Sequence, residues 1–150
     1  MVQGASGNQI ILALKNTLLI GFGSAAIATV IGLLGAIGID AMRKKNYSLV
    51  MGFGNIPLLN ADIVTGIALM LWFVRFMPLG MTSILLAHVT FNIPYVILSV
   101  MPRLKQLNPS VYEAALDLGA SPWQAFFKVV FPDLLPGVMS GFLMAFTMSL

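Results

Sequence analysis

Between residues 17 and 39 the chain carries no charged side chain, and this uninterrupted apolar run constrains the fold more than any other feature. A helix needs roughly 20 mostly apolar residues to cross a bilayer core. The rest of the sequence agrees with a membrane solvent. Hydrophobic residues make up 59% of the 150-residue chain and charged residues 9%, against about a quarter charged in soluble domains. Backbone groups in lipid must find partners within their own segment, so the fold class expected is all-α, a polytopic transmembrane helical bundle. One membrane domain is expected over 1–150, with room for about four spans.

The first span is placed at 17–39. It is laced with Gly21, Gly23, Ser24, Ala25, Ala26, Gly32, Gly35, Ala36 and Gly38, small residues that let helix backbones approach closely where lipid removes the hydrophobic drive. A second is placed at 49–76, broken near 57–62 by Pro57, Asn60 and Asp62. A third covers 82–100, where Pro94 predicts a kink. A last run starts at 138 and continues to 150. The segment 101–136 is too polar and too rich in proline to span and reads as a loop.

Charge sets the orientation. Arg43, Lys44, Lys45, Arg103, Lys105 and Lys128 fall in the two loops that alternate counting puts on one side, and only Lys15 and Arg75 fall opposite. By the positive-inside rule the 101–136 loop is cytoplasmic. The same scattering argues against a nucleic-acid partner. With no cysteine, disulfides and thiolate chemistry are excluded. The ten methionines are spread through apolar segments as packing, and no metal site is proposed. Residues 1–9 lack the basic region and cleavage site of a signal peptide. The final apolar run has no stop-transfer flank, so the sequence is expected to be cut short there.

The cytoplasmic loop reads as two short helices separated by a glycine. Ser110 and Glu113 have capping-box spacing, predicting a helix over 111–118 with Gly119 as a left-handed C-terminal cap. Ser121, Pro122 and Gln124 start a second helix by the same logic, and Pro132 and Pro136 are expected to end it. Trp123, Phe126, Phe127, Val130 and Phe131 share one face of it, either lying on the membrane surface beside Lys128 or packing against the bundle.

Glu113-Ala114-Ala115, Gly119-Ala120 and Leu134-Leu135-Pro136 resemble the EAA loop of the permease subunits of ATP-binding-cassette (ABC) importers. The resemblance implies a type I ABC-importer permease (MetI-like) fold in a bacterial inner membrane. It also implies a coupling role for Glu113, Ala114, Ala115, Gly119, Ala120 and Pro136, with the glutamate facing a basic residue of the ATPase. The alternative for Glu113 is a cap on its own helix. Asn16-Thr17-Leu18, Asp62-Ile63-Val64, the stretch from His88 to Pro94, Leu116 to Ser121 and Ala145 to Leu150 look most like the spermidine/putrescine permeases. Such permeases usually have about six spans, one of them before Asn16 and others after Leu150.

By that resemblance the partners are an ABC ATPase subunit, a second permease subunit, an external substrate-binding protein and membrane lipid. No cofactor is expected in this chain, because the partner ATPase binds the ATP. Asp62, Asn60 and His88 are the candidates for a translocation path. Asp62 and Asn60 serve equally as caps of the restarted helix, and His88 as a partner for backbone groups freed near Pro94. No phosphate loop, zinc motif or catalytic carboxylate pair supports an enzyme. A channel or secondary transporter, an ABC permease for another small solute, and a membrane scaffold remain as alternatives.

Overall fold

Apolar runs without strand-type alternation fold into helices over the residues that the computed structural model describes, which are 2–41, four positions between 46 and 52, and 62–150. The elements are α1 (Val2–Asp40), α2 (Asp62–Phe76), α3 (Met81–Gln106), α4 (Pro109–Asp117), α5 (Pro122–Ala125) and α6 (Phe131–Ser149). A single π turn, Phe126–Val130, joins α5 to α6 without a break. Among the described residues three stretches are long and apolar enough to cross a membrane: Ser6–Asp40, Met81–Gln106 and Pro122–Ser149. The 15 residues of α2 reach only about 22 Å, less than a bilayer core. Pro57 and Asn60, where the sequence predicts a break, lie outside the described residues, as do Arg43, Lys44 and Lys45.

Two expectations are corrected. Helix α3 runs past Pro94 and Pro102 to Gln106, so the chain leaves this helix at Leu107 and not at 101. Pro132 and Pro136 do not end the helix before them, which continues to Ser149. The π turn gives the reason for Pro132. The Phe131 N–H reaches back five residues to the Phe126 carbonyl, and Pro132 falls in the first turn of α6, the position where a missing N–H costs least. Pro136 sits inside α6, as prolines in membrane helices can where neighbouring groups satisfy the freed carbonyl.

Helices α1, α3 and α6 form the core. Gly23 meets Leu85, Gly32 meets Val96 and Gly35 meets Ile97, so α1 and α3 run parallel. Helix α6 runs the other way, and its register on α3 advances four residues at a time. Ser149 meets His88, Ala145 meets Asn92, Gly141 meets Val96 and Ser99, and Gly137 meets Ser99 and Arg103. A methyl group on Gly32 would lie 2.6 Å from Val96 Cγ1 and 2.7 Å from its Cβ. The contact is therefore backbone against side chain, and only hydrogen fits.

Polar ties reinforce this seam. Asn92 Nδ2 donates to the Ala145 carbonyl at 3.1 Å, and the Ser99 hydroxyl donates to the Gly137 carbonyl at 3.1 Å. Ser24 and Ser149 share a hydroxyl contact of 2.7 Å between α1 and α6. Such interhelical bonds contribute about 0.6 kcal/mol each in lipid. Many large apolar side chains point outward, with Leu34 65% and Leu71 67% exposed. This inside-out distribution is what a lipid solvent permits.

Candidate functional site: a capped helical hairpin at one end of the bundle

The C-terminal ends of α1 and α3 and the start of α6 converge at one end of the bundle. Asp40, Leu104, Tyr112, Val130 and Asp133 line a common cavity of about 180 Å³ there. The basic residues Arg103 and Lys105 in the last turn of α3, and Lys128 in the π turn, lie at the same end. Helices α4 and α5 form a hairpin on this end.

The hairpin is built from local capping. Asn108 Oδ1 accepts from the Ser110 N–H at 3.0 Å, and Pro109 takes the first turn, so α4 begins two residues earlier than the sequence predicts. Asn108 therefore fills the capping role expected of Ser110 and Glu113. The N–H that Glu113 would have bonded is already taken, and the exposed glutamate is free of that task.

At the other end, the Gly119 N–H donates to Leu116 O at 2.9 Å and the Ala120 N–H to Ala115 O at 3.1 Å. This is the double bond pattern of a Schellman cap, with Gly119 at φ +91° as its left-handed residue. The second box forms as the sequence predicts. Ser121 Oγ accepts from the Gln124 N–H at 3.3 Å, and Gln124 Oε1 accepts from the Ser121 N–H at 3.2 Å.

Glu113, Ala114, Ala115, Gly119 and Ala120 are thus brought together on one hairpin. Pro136 is not; it lies more than a turn into α6, on the exposed side. The hairpin also exposes apolar side chains, with Val111 49%, Leu118 89% and Trp123 74% exposed. The aromatic stripe divides at the π turn. Trp123 and Phe127 stack at 6.1 Å on the outside while Phe126 and Val130 are partly buried, and Val130 packs against the core of the bundle.

Of the translocation-path candidates, Asn60 lies outside the described residues, and Asp62 opens α2 with its side chain outside them. His88 is half-buried in α3. Its Nδ1 lies 3.2 Å from Ser149 Oγ, so its partner is a hydroxyl on α6 and not a backbone group freed near Pro94. His88 also lines a cavity of about 290 Å³ with Gly66, Leu69, Phe91, Asn92 and Met148. Ser24, Asn92, Ser99 and Ser149 were not among the sequence candidates. The signal for Ser149 is the four-residue spacing Gly137, Gly141, Ala145, Ser149, a small-residue ridge on α6, and Asn92 and Ser99 bond to carbonyls of that ridge.

Membrane-length helices packed through small residues, ending in a capped hairpin on their basic side, define a polytopic helical membrane protein. The model of the family described as "Binding-protein-dependent transport system inner membrane component" matches residues 28–150. The chain belongs to this family of inner-membrane components. It is 38% identical over 146 residues to the spermidine/putrescine transport system permease protein PotC of Haemophilus influenzae, covering 97% of this chain and 57% of that protein. It is 38% identical over 138 residues to the putrescine transport system permease protein PotI of Escherichia coli K12, covering 85% and 49%. With PotC of the same organism the identity is 33% over 146 residues, covering 97% and 55%. The chain spans about half the length of the curated relatives it matches.

Proposed function

We propose that this chain belongs to a permease subunit of an ABC importer that carries polyamines, and that its hairpin transmits the motion of an ATPase subunit to the membrane helices. The observation that carries the coupling role is the hairpin itself. Two independently capped helices hold Glu113 exposed, on a hairpin that also exposes Val111, Leu118 and Trp123, at the end of the bundle where α1, α3 and α6 meet. A carboxylate in such a surface can fix the register of a docked partner, and its loss from a desolvated contact costs about 2–5 kcal/mol. The polyamine reading rests on the names of the relatives.

The partners under this proposal are an ABC ATPase subunit, which binds the ATP, a second permease subunit and an external substrate-binding protein. The hydrolysis belongs to the ATPase, and this chain needs no cofactor of its own.

The test is affinity purification of the assembled transporter in mild detergent, followed by mass spectrometry of what accompanies it. An ABC ATPase is expected with the native protein and is expected to be lost with Glu113→Lys and with Gly119→Asp. If binding of the ATPase ignores both substitutions, the coupling role of the hairpin is wrong. Uptake of labelled putrescine and spermidine by the same preparation in proteoliposomes then decides the substrate.

A further inference from the structure

The chain of side chains behind His88 determines which of its ring nitrogens carries the proton. Ser24 Oγ donates to the Gly21 carbonyl at 3.2 Å, contacts Ser149 Oγ at 2.7 Å, and Ser149 Oγ contacts His88 Nδ1 at 3.2 Å. Each hydroxyl has one proton. All three contacts are hydrogen bonds only if Ser24 gives its proton to Gly21, Ser149 gives its own to Ser24, and His88 donates from Nδ1 to Ser149. The reverse direction leaves the Gly21 contact unmade. Nδ1 is then the protonated nitrogen, and Nε2 keeps a lone pair.

That lone pair is open. Among the described residues no buried side-chain nitrogen or oxygen lacks a partner, so the unpartnered Nε2 reaches free space, and His88 lines the 290 Å³ cavity. Asn92, only 2% exposed, is engaged through Nδ2 with the Ala145 carbonyl behind this wall. Nε2 is an acceptor, and among the described residues the wall beside it carries the apolar side chains of Leu69, Phe91 and Met148. A donor-only head on a methylene chain complements such a wall, whereas a carboxylate or phosphate does not. At about 30 Å³ for each water-sized group, the cavity has room for roughly ten.

We propose that His88, held by Ser149 and Ser24, binds a primary amine of the transported molecule through Nε2, with the aliphatic chain along Leu69, Phe91 and Met148. The substrate class rests on the polyamine reading above; the tautomer does not. Ser149 and Ser24 act as positioning residues.

His88 is the one histidine among these 150 residues, so ¹⁵N-histidine labelling of this subunit in the assembled, lipid-embedded transporter, with the His88→Asn spectrum subtracted, reports on this ring. The expected spectrum has the proton on Nδ1, and titration with 1,4-diaminobutane shifts the Nε2 signal saturably while succinate does not. A proton on Nε2, or a signal indifferent to the diamine, overturns the proposal.

Two variants add a kinetic readout. In His88→Asn the amide nitrogen can stand in for Nδ1 but nothing replaces Nε2. KM for uptake should rise about tenfold, the scale of one lost hydrogen bond, with maximal rate little changed. His88→Gln, which places an oxygen near the Nε2 position, should recover most of the affinity. Unchanged KM in both variants also overturns it. Uptake that persists alongside a silent histidine refutes the site and spares the polyamine reading. A histidine that responds to diamine in a transporter that carries none refutes the polyamine reading and spares the site.

Discussion

Glu113 stands on the exposed side of α4 with the cap of that helix already supplied by Asn108, so nothing inside the hairpin uses its charge for capping. Glu113→Gln should therefore leave the hairpin folded and reduce coupled uptake, and limited proteolysis beside a transport assay separates the two effects. Gly119 behaves in the opposite sense. A methyl group there meets nothing within 4 Å, so the obstacle to substitution is its φ of +91° and not space. Gly119→Ala should destabilise the hairpin by about 1–2 kcal/mol. Gly119→Asn should cost less, because asparagine tolerates the left-handed region. Protease nicking across 116–122 ranks the three proteins, and equal nicking of the alanine and asparagine variants contradicts the conformational argument.

At the scale of elements, α1 and α3 depend on a contact without slack. Gly32→Ala would place its methyl 2.7 Å from Val96 Cβ, and overpacking of this kind costs about 1–3 kcal/mol. Because the clash includes the Cβ of Val96, Val96→Ala should not rescue it and Val96→Gly should. Gly38→Ala, with nothing within 4 Å, is the neutral control. Thermal unfolding in detergent of these four variants tests the register directly.

The sequence showed that α1 would pack through small residues but not which of them, because Gly32 and Gly38 look alike until a neighbouring helix fixes the register. The capped hairpin was legible at Gly119, Ser121 and Gln124, since caps are local. The start of α4 was misplaced because Asn108 and Ser110 offer competing caps two residues apart. The continuation through Pro132 was illegible for a different reason: the prolines signal a stop, and a π turn that absorbs one leaves no mark in the residue pattern. His88 was visible as an intramembrane polar group, but its partner Ser149 is 61 residues away and only the fold brings them together.

For the whole molecule, the consequence of the π turn is mechanical. The hairpin is joined to α6 by continuous helix from Pro122 to Ser149, with the extra residue of Phe126–Val130 as the one irregular turn between them. A helix carries rotation as well as displacement, so the orientation of Glu113 relative to the spanning bundle depends on that residue. Deleting Val129 should convert the turn to ordinary α-helix and rotate the hairpin by roughly 100° about α6, the angle of one residue. The core seam from Gly137 to Ser149 and the caps at Gly119 and Ser121 lie outside the deleted turn. The variant should therefore insert and assemble its three-helix core, with thermal stability close to that of the native protein. Its exposed glutamate would face the wrong direction for the partner. Under the coupling proposal, the assembled transporter should then hydrolyse ATP without substrate uptake, measured as phosphate released per polyamine accumulated in proteoliposomes. If uptake per ATP is unchanged, the hairpin does not pass motion through α6, and the path must run through the α3–α4 junction at Asn108 instead.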